Sequence, residues 1–197
     1  LINRIFVSIY LIYNKVEAYN QFIERYVISE TDKDYEELGK VLAFLDKQNV
    51  KMINLEDMIK LFEFVISPSD RIVTGAIYTP KKIRKYILDA CLRKNTDLLQ
   101  IRVADIACGC GSFLRSSLLK NSNIQTFGFD ISQRAIKVAK VINFLTCHNK
   151  TIYSHIDSLS LEPSDIYSNT VETFLKKTNP DFNGFDFILT NPPFAGD

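Results

Sequence analysis

The feature that most constrains the fold is an apolar run that ends in a carboxylate and a glycine-rich turn, Val103-Ala104-Asp105-Ile106-Ala107-Cys108-Gly109-Cys110-Gly111-Ser112-Phe113. The apolar run predicts a buried strand, and the residues after Gly111 predict the first turn of a helix. Gly109 and Gly111 let the backbone approach a ligand that a Cβ would exclude. Because the N–H groups at a helix start point towards such a ligand, the turn predicts a binding site.

This turn differs from two common phosphate-binding patterns. Leu114 occupies the position of the third glycine in the dinucleotide fingerprint Gly-x-Gly-x-x-Gly, and no Gly-Lys-Ser/Thr follows, as a phosphate loop would require. An NAD enzyme is therefore a weak alternative, and a nucleoside without phosphates fits the turn better.

Composition restricts the class of protein. The 197 residues are 46% hydrophobic and 24% charged, as in an ordinary soluble globular protein. No apolar run reaches about 18 residues, so we expect no membrane partner. The net charge of +1 creates no overall attraction to nucleic acid, so any basic contact surface must be local.

The four cysteines are Cys91, Cys108, Cys110 and Cys147. No second cysteine pair and no histidine pair stands at zinc-binding spacing, so we predict no metal site. Reduced thiols explain these cysteines better, and they predict a cytoplasmic protein.

The chain divides near Pro68, where a turn signal follows a region of helical periodicity. Apolar spacing predicts one helical stripe over residues 2–23, a second helix over about 34–47 and a third that begins near Asn54. We therefore predict a helical N-terminal subdomain over residues 1–68 and a second domain over residues 69–197.

A further helix is predicted to begin at Pro80, with Thr79 as its N-cap, and to run to about residue 93. Its predicted inward residues are Ile83, Ile87, Ala90 and Cys91. Its basic residues are predicted to face mostly outward, and a solvated face is favoured over phosphate contact. These basic residues are Lys81, Lys82, Arg84 and Lys85.

Beyond this helix the pattern alternates between strands and helices. The predicted strands cover residues 99–107, 124–130, 151–156 and 185–190. The predicted helices cover residues 113–120 and 132–147, with a short one around 169–177. This alternation predicts an α/β fold with a parallel sheet covered on both faces, in which ligands bind beyond the carboxyl ends of the strands.

Four polar residues fall at or just after the ends of four different predicted strands: Asp105, Asp130, Asp157 and Asn191. Because the carboxyl ends of parallel strands share one edge, these side chains are expected to form one cleft. The Asp130 carboxylate, on the strand after the glycine turn, is placed to accept both hydroxyls of a ribose.

Asn191-Pro192-Pro193-Phe194 is the second informative motif. The prolines fix the backbone and remove N–H donors, so that carbonyls are exposed. The Asn191 amide oxygen and the Pro192 carbonyl can both accept from one exocyclic NH₂ group, while Phe194 offers a flat face for a base. Two such acceptors would free the lone pair of an adenine N6 amine for attack on an electron-poor methyl group.

Together these motifs resemble the S-adenosylmethionine-dependent DNA adenine-N6 methyltransferases, closest to the modification subunits of type I restriction systems and related single-chain restriction–modification enzymes. Residues 105–113 resemble the cofactor loop, with Cys110 where the family usually has Ser, Thr or another small residue. Gly75-Ala76-Ile77-Tyr78-Thr79-Pro80 resembles an upstream motif. The resemblance covers about residues 70–197 and implies the Rossmann-like parallel sheet of a class I methyltransferase.

The resemblance also implies roles for individual residues. The upstream motif would lie near the methionine part of S-adenosylmethionine, Ile131 beside the adenine ring and Asp157 near the adenine amine. The implied cofactor-binding residues are Tyr78, Thr79, Pro80, Asp105, Ala107, Gly109, Gly111, Phe113, Asp130, Ile131 and Asp157. The implied catalytic residues are Asn191, Pro192, Pro193 and Phe194. The implied partners are double-stranded DNA with a flipped adenine, and a specificity or restriction subunit.

Other acceptors stay open at this stage. Asn-Pro-Pro-aromatic also occurs in methyltransferases that act on rRNA guanine and on protein glutamine. Those enzymes usually lack the segment that matches Tyr78-Thr79-Pro80, so this segment favours DNA adenine. Cytosine-N4 enzymes usually have Ser before the two prolines, so Asn191 argues against them. A non-catalytic methyltransferase-like module that packs against a partner is a further alternative.

The sheet of the resembled family has seven strands, whereas four strand patterns are visible here. We therefore expect a fragment truncated after the fourth strand, inactive alone and weak in cofactor binding, whose hydrophobic fourth strand is poorly covered. Robust turnover of unmethylated DNA by the 197-residue chain would contradict this expectation.

Overall fold

A computed structural model describes most of the chain, which forms two compact units, Leu1–Val65 and Ile66–Asp197. The described residues are 1–18, 20–65, 79–92, 100–120, 123–146, 151–162 and 169–193, with the side chains of 61–65 excluded. The predicted domain boundary at residue 68 lies outside these ranges and stays a prediction. None of the helices in these ranges combines the length and the apolar character needed to cross a bilayer.

The described residues of the first unit form four helices. They are α1 (Ile2–Asn14), α2 (Gln21–Glu24), α3 (Tyr35–Lys47) and α4 (Leu55–Val65). The prediction of one continuous stripe over residues 2–23 is wrong, because Lys15 adopts a left-handed backbone (φ 52°) that ends α1. Ile9, Ile28 and Leu38 form one buried apolar cluster of this unit.

Capping side chains define the starts of two of these helices. The Asn20 side chain accepts a hydrogen bond from the Ile23 N–H at 2.9 Å at the start of α2. Asn54 does the same for the Asp57 N–H at 2.9 Å at the start of α4. Each cap satisfies a donor that the helix itself leaves unpaired.

The second unit is built on a parallel four-stranded sheet with the order β3-β2-β1-β4. Its strands are β1 (Ile101–Asp105), β2 (Ile124–Asp130), β3 (Thr151–His155) and β4 (Phe187–Ile188). Its helices are α5 (Lys81–Leu92), α6 (Ser112–Leu118), α7 (Gln133–Thr146) and α8 (Val171–Thr178). The alternation of strands and helices confirms the predicted α/β class.

Apolar side chains cover both faces of this sheet. One cluster includes Val103 of β1 with Leu114 and Ile136 from α6 and α7. The other includes Ala104, the next residue of β1, with Phe127 and Leu175 on the opposite face. Successive residues of β1 therefore enter different cores, which explains why this strand is apolar without alternation.

Two strands, β1 and β4, are clearly shorter than predicted. β1 covers five residues rather than residues 99–107, because Ile106 and Ala107 already belong to the turn. β4 has only two residues by ladder pairing, although the Leu189 N–H still donates to the Ala104 carbonyl at 2.8 Å. The prolines that follow cannot donate to a ladder, which ends the strand early.

The inward face of α5 is rotated relative to the prediction. Arg84 and Leu88 are the buried residues of this helix, whereas Ile83 is 50% exposed and Ala90 is exposed. The prediction that Ile83 and Ala90 point inward is therefore wrong, and so is the outward placement of Arg84. A four-residue spacing from Arg84 to Leu88 marks the actual buried stripe.

Candidate active site

The glycine loop continues from β1 at the carboxyl edge of the sheet. The Cys108 N–H donates to the Phe129 carbonyl at 2.9 Å, which extends the contact between β1 and β2 into the loop. The Gly111 N–H donates to the Cys108 carbonyl at 2.8 Å and closes a tight turn. Ser112 then begins α6, so the loop is fixed at both of its ends.

The two glycines of the predicted turn, Gly109 and Gly111, have different roles in this loop. A Cβ on Gly109 (φ +51°) would meet no heavy atom within 4 Å, so the space in front of it is open. A Cβ on Gly111 (φ +77°) would lie 2.3 Å from the Tyr153 hydroxyl. Gly109 therefore leaves room for a ligand, whereas Gly111 leaves room for an internal tyrosine of β3.

The Asp130 carboxylate joins the end of β2 to this loop. One carboxylate oxygen accepts from the Gly109 N–H at 2.8 Å, and the other accepts from the Ser132 N–H at 2.8 Å. Burial raises the pKa of Asp130, against the two N–H donors and nearby His155, which lower it. Both oxygens keep a further lone pair, as binding of two neighbouring hydroxyls would require.

Asp105 is the most buried acid of the site, with 2% of its surface exposed. Burial raises its pKa to about 7, although the Thr190 side chain and the Ala107 N–H lower it, and the Asp130 charge raises it further. The Ala107 N–H donates to the carboxylate at 3.1 Å. A cation near this pair of acids would favour their charged forms.

Two buried hydroxyl oxygens at this edge have no partner at strict hydrogen-bond geometry among the described residues. They are Ser112 Oγ, at the start of α6, and Thr190 Oγ1, after β4. Thr190 nevertheless lies close enough to Asp105 to lower the pKa of that carboxyl. Because buried polar atoms are normally paired, the Ser112 hydroxyl, which lacks a partner among the described residues, indicates room for a polar ligand.

The remaining predicted cofactor residues after β2 and β3 border the same loop. Ile131 directly follows β2 with 56% of its surface exposed, and its carbonyl contacts His155 Nε2 at 2.8 Å. One Asp157 oxygen accepts from the Leu159 N–H at 3.0 Å. The next residue, Ser158, donates its hydroxyl to the Ile106 carbonyl at 2.8 Å, which ties this segment to the glycine loop.

Asn191-Pro192-Pro193 continues directly from β4, the neighbour of β1 in the sheet. Asn191 is half-buried, and both prolines are exposed. Since Ala104 pairs with Ile188, the chain reaches Asn191 at the edge where the glycine loop begins. The two predicted motifs therefore follow adjacent strands and share one edge of the sheet.

Thr79 and Pro80 are described, whereas Tyr78 and Phe194 lie outside the described residues. The Thr79 carbonyl accepts from Arg84 Nη1, and the Pro80 carbonyl accepts from the Arg84 N–H at 3.1 Å. Ala107 in the loop is half-buried, and Phe113 in the first turn of α6 is buried. The roles of all these residues in cofactor binding stay predictions.

The sequence does not predict the buried positions of two polar side chains, Arg84 and Thr190. The neighbouring lysines predict a solvated basic face for Arg84, although its spacing to Leu88 places both residues on one side of α5. Thr190 is the last residue of the predicted fourth strand, and no sequence signal distinguishes its buried hydroxyl from an exposed one. Cys108 is buried, and burial raises its thiol pKa well above the ordinary value, so it is not a thiolate nucleophile.

This arrangement is the Rossmann-like fold of class I S-adenosylmethionine-dependent methyltransferases, with a glycine loop and two acids at the carboxyl edge. Residues 56–197 match the N-6 DNA Methylase family, and the chain belongs to that family. S-adenosylmethionine is the cofactor of this fold and family. The acids and open glycine loop fit a cofactor that carries a ribose and positive charge.

Known relatives agree with this class. The chain is 30% identical over 128 residues to the eRF1 methyltransferase catalytic subunit mtq2 of Schizosaccharomyces pombe, covering 60% of this chain and 51% of that protein. The chain thus spans about half the length of this curated relative.

Two solved structures are also similar. A class I S-adenosylmethionine-dependent methyltransferase from Listeria monocytogenes has a TM-score of 0.55 and 15% identity, over 96% of this chain and 58% of that one. The methyltransferase subunit of a type I restriction-modification system from Streptococcus thermophilus has a TM-score of 0.46 and 12% identity, over 98% and 56%. The Listeria likeness supports the fold.

Proposed function

We propose that the protein transfers a methyl group from S-adenosylmethionine to the N6 amine of adenine in double-stranded DNA. The observation that carries this proposal is the adjacency of the two motifs. Asn191-Pro192-Pro193 follows β4, which pairs with β1, and β1 leads into the glycine loop. A donor site and an acceptor site on neighbouring strands are what a one-carbon transfer requires.

On the donor side, the proposal assigns the cofactor to the glycine loop and the acids beside it. Asp130 would accept from the two ribose hydroxyls while its oxygens stay fixed by the Gly109 and Ser132 N–H groups. The open space in front of Gly109 would admit the nucleoside. When bound, S-adenosylmethionine supplies an electrophilic methyl group on a positively charged sulfur.

On the acceptor side, Asn191 and Pro192 would hold the amine. The Asn191 side-chain oxygen and the Pro192 carbonyl would each accept one N–H of the adenine amine. This would draw the nitrogen towards tetrahedral geometry and free its lone pair for attack. Pro193 keeps the backbone fixed without adding a donor that would compete for these acceptors.

DNA as the substrate rests on the family and on the upstream segment. The matched region, residues 56–197, includes Tyr78-Thr79-Pro80, which favours DNA adenine over other amines. Because the adenine amine lies inside the duplex, the base would have to rotate out of the helix to reach Asn191. A restriction-modification role, with a specificity or restriction subunit as partner in the cytoplasm, belongs to the same proposal.

A second acceptor is supported by a specific observation. The relative that is 30% identical is an eRF1 methyltransferase catalytic subunit. A protein side-chain amide, like adenine, presents an NH₂ group on a planar carbon whose lone pair is delocalised. The Asn191 and Pro192 acceptors would suit either group, and protein amide methylation is therefore the second candidate function.

A single-turnover assay distinguishes the two acceptors. Full-length protein in excess over radiolabelled S-adenosylmethionine is offered unmethylated plasmid DNA, an adenine-free duplex or a purified translation release factor. We expect label in plasmid DNA, N6-methyladenine among its digested nucleosides, and no label in the adenine-free duplex.

Each other outcome contradicts the DNA proposal. Label in the release factor without label in DNA would assign the protein to amide methylation. Label in neither acceptor would favour a non-catalytic module. An Asn191→Ala variant serves as the control for labelling by a contaminating enzyme, since it should lose the activity while retaining the cofactor.

A further inference from the structure

Arg84 is a fully buried arginine, with 0% of its surface exposed, on a helix whose other basic side chains Lys81, Lys82 and Lys85 are exposed. Removing a guanidinium from water costs several kcal/mol unless polar groups compensate for it. An apolar residue at this point of α5 would avoid that cost. The position therefore needs an explanation beyond packing.

The contacts of Arg84 connect two separate segments of the second unit. Its Nη1 donates to the Thr79 carbonyl, in the segment before α5. Its Nε donates to Ser116 Oγ on α6 at 3.2 Å. A single planar side chain thus joins the upstream segment to the helix that follows the glycine loop.

Ser116 continues this connection towards the glycine loop. Its hydroxyl donates to the Ser112 carbonyl at 2.8 Å, in the first turn of α6. Ser112 directly follows Gly111, and its own buried hydroxyl lacks a partner among the described residues. Hydrogen bonds therefore run from Thr79 through Arg84 and Ser116 to the first residue of α6.

We propose that Arg84 is a positioning residue of the cofactor site, which holds Thr79 and Pro80 against the start of α6 beside the glycine loop. Loss of this connection would leave the glycine loop intact but would no longer hold Thr79 and Pro80 beside the site. The inference rests on the proposed placement of S-adenosylmethionine at that loop. It is independent of whether adenine or an amide is the acceptor.

The test measures binding of S-adenosylhomocysteine to the full-length protein by calorimetry, with the melting temperature recorded for every variant. We expect Arg84→Met to weaken binding by about tenfold, as loss of hydrogen bonds to a charged group predicts. Arg84→Lys keeps the charge but cannot reach both oxygens, so it should weaken binding less. Ser116→Ala should also weaken binding, since it breaks the same connection.

Asp89 and Lys120 provide a matched control. These residues form an ion pair that joins α5 to the end of α6. Asp89→Asn should lower the melting temperature but leave affinity within about twofold, as expected for a partly exposed ion pair. Arg84→Lys and Ser116→Ala carry the test if Arg84→Met does not fold.

Three outcomes would overturn the inference. Wild-type affinity in the folded Arg84 or Ser116 variants would show that the connection does not position the site. If Asp89→Asn lost as much affinity as the Arg84 variants for the same fall in melting temperature, Arg84 would act only through general packing. Failure of the wild-type protein to bind S-adenosylhomocysteine would instead contradict the proposed function, and the inference with it.

Discussion

The carboxyl ends of β2 and β4 lie at the same edge of one sheet but are built differently. β2 has seven residues, and its terminal Asp130 is held by backbone N–H groups on both oxygens. β4 has two residues, and the exposed Pro192 and Pro193 follow it. The end of β2 is thus fixed by hydrogen bonds, whereas the end of β4 is fixed by the covalent geometry of proline.

This difference fits two kinds of binding. A small cofactor can be held by a preformed site whose polar groups are already oriented, which reduces the cost of ordering on binding. A methyl acceptor that belongs to a large molecule needs an exposed site. The hydrogen-bond acceptors of that site must stay in place before the substrate binds. Variants on the two sides should therefore separate cofactor affinity from transfer rate.

The largest expected effect is on the acceptor side. Asn191→Ala should lower the single-turnover rate by about 10²–10³-fold, the usual cost of removing one polar group that stabilises the transition state. Affinity for S-adenosylhomocysteine should stay within about twofold, because the donor side is untouched. Asn183→Ala, at the opposite end of the sheet where Asn183 contacts Arg102, serves as the control. Equal losses of rate in both variants would contradict the assignment.

The two glycines provide the next contrast. Gly111→Ala should destabilise the protein by about 3 kcal/mol, because a left-handed backbone and a clash with Tyr153 add together. Gly109→Ala should cost only about 1 kcal/mol, for its positive φ, yet weaken S-adenosylhomocysteine binding by filling open space. Urea unfolding and calorimetry measure the two effects.

Tyr153→Phe sharpens this contrast. Removing the hydroxyl that lies nearest to the added Cβ should recover part of the stability lost in Gly111→Ala. The same change should do nothing for Gly109→Ala, whose added Cβ meets no atom. Equal recovery in both backgrounds would show that Tyr153 does not occupy the space at Gly111.

Asp130→Ala should weaken S-adenosylhomocysteine binding by about 10–100-fold, as loss of charge-assisted hydrogen bonds predicts. It also leaves two N–H donors unpaired, so the melting temperature should fall. Ser132→Ala is the matched control, because its hydroxyl accepts from the Ala135 N–H at the start of α7 at 3.2 Å. That variant should lose stability alone. Unchanged affinity in Asp130→Ala would contradict the proposal that Asp130 binds the ribose hydroxyls.

The smallest expected effect is a pH dependence of stability. The folded pKa of Asp105 is about 7 against an ordinary value of 3.8, so the folded state binds more protons between these values. Stability should therefore fall by about 1.4 kcal/mol from about pH 6 to about pH 8. Asp105→Asn should remove most of this slope, while Asp130, whose pKa is also raised, retains some. An equal slope in both proteins would contradict the burial of a titrating Asp105.

The sequence predicted some elements well because their local and tertiary signals agree. β2 has the predicted bounds, residues 124–130, since an apolar run ends there in an aspartate and a helix follows at once. β1 and β4 were predicted too long, because apolar residues continue into turns whose geometry depends on glycine and proline contacts. The four polar residues at the strand ends could be expected at one edge, because the carboxyl ends of parallel strands lie at the same edge of a sheet.

Other features depend on packing that no local pattern shows. The lysines that surround Arg84 in sequence predict a solvated position, although its side chain donates to Ser116 on α6. The glycine-rich turn predicts that Gly111 leaves room for a ligand, whereas the structure places Tyr153 in that space. Both differences come from contacts between distant residues, which composition and periodicity do not encode.

The most direct test of the account is a crystal structure of the protein with sinefungin, an analogue that carries an amine in place of the transferable methyl group. We predict that its ribose hydroxyls contact Asp130 and that its amine points towards Asn191 and Pro192 across a gap that admits one acceptor nitrogen. A ribose bound away from Asp130, or an amine that faces away from Asn191, would contradict the claim that both motifs form one site.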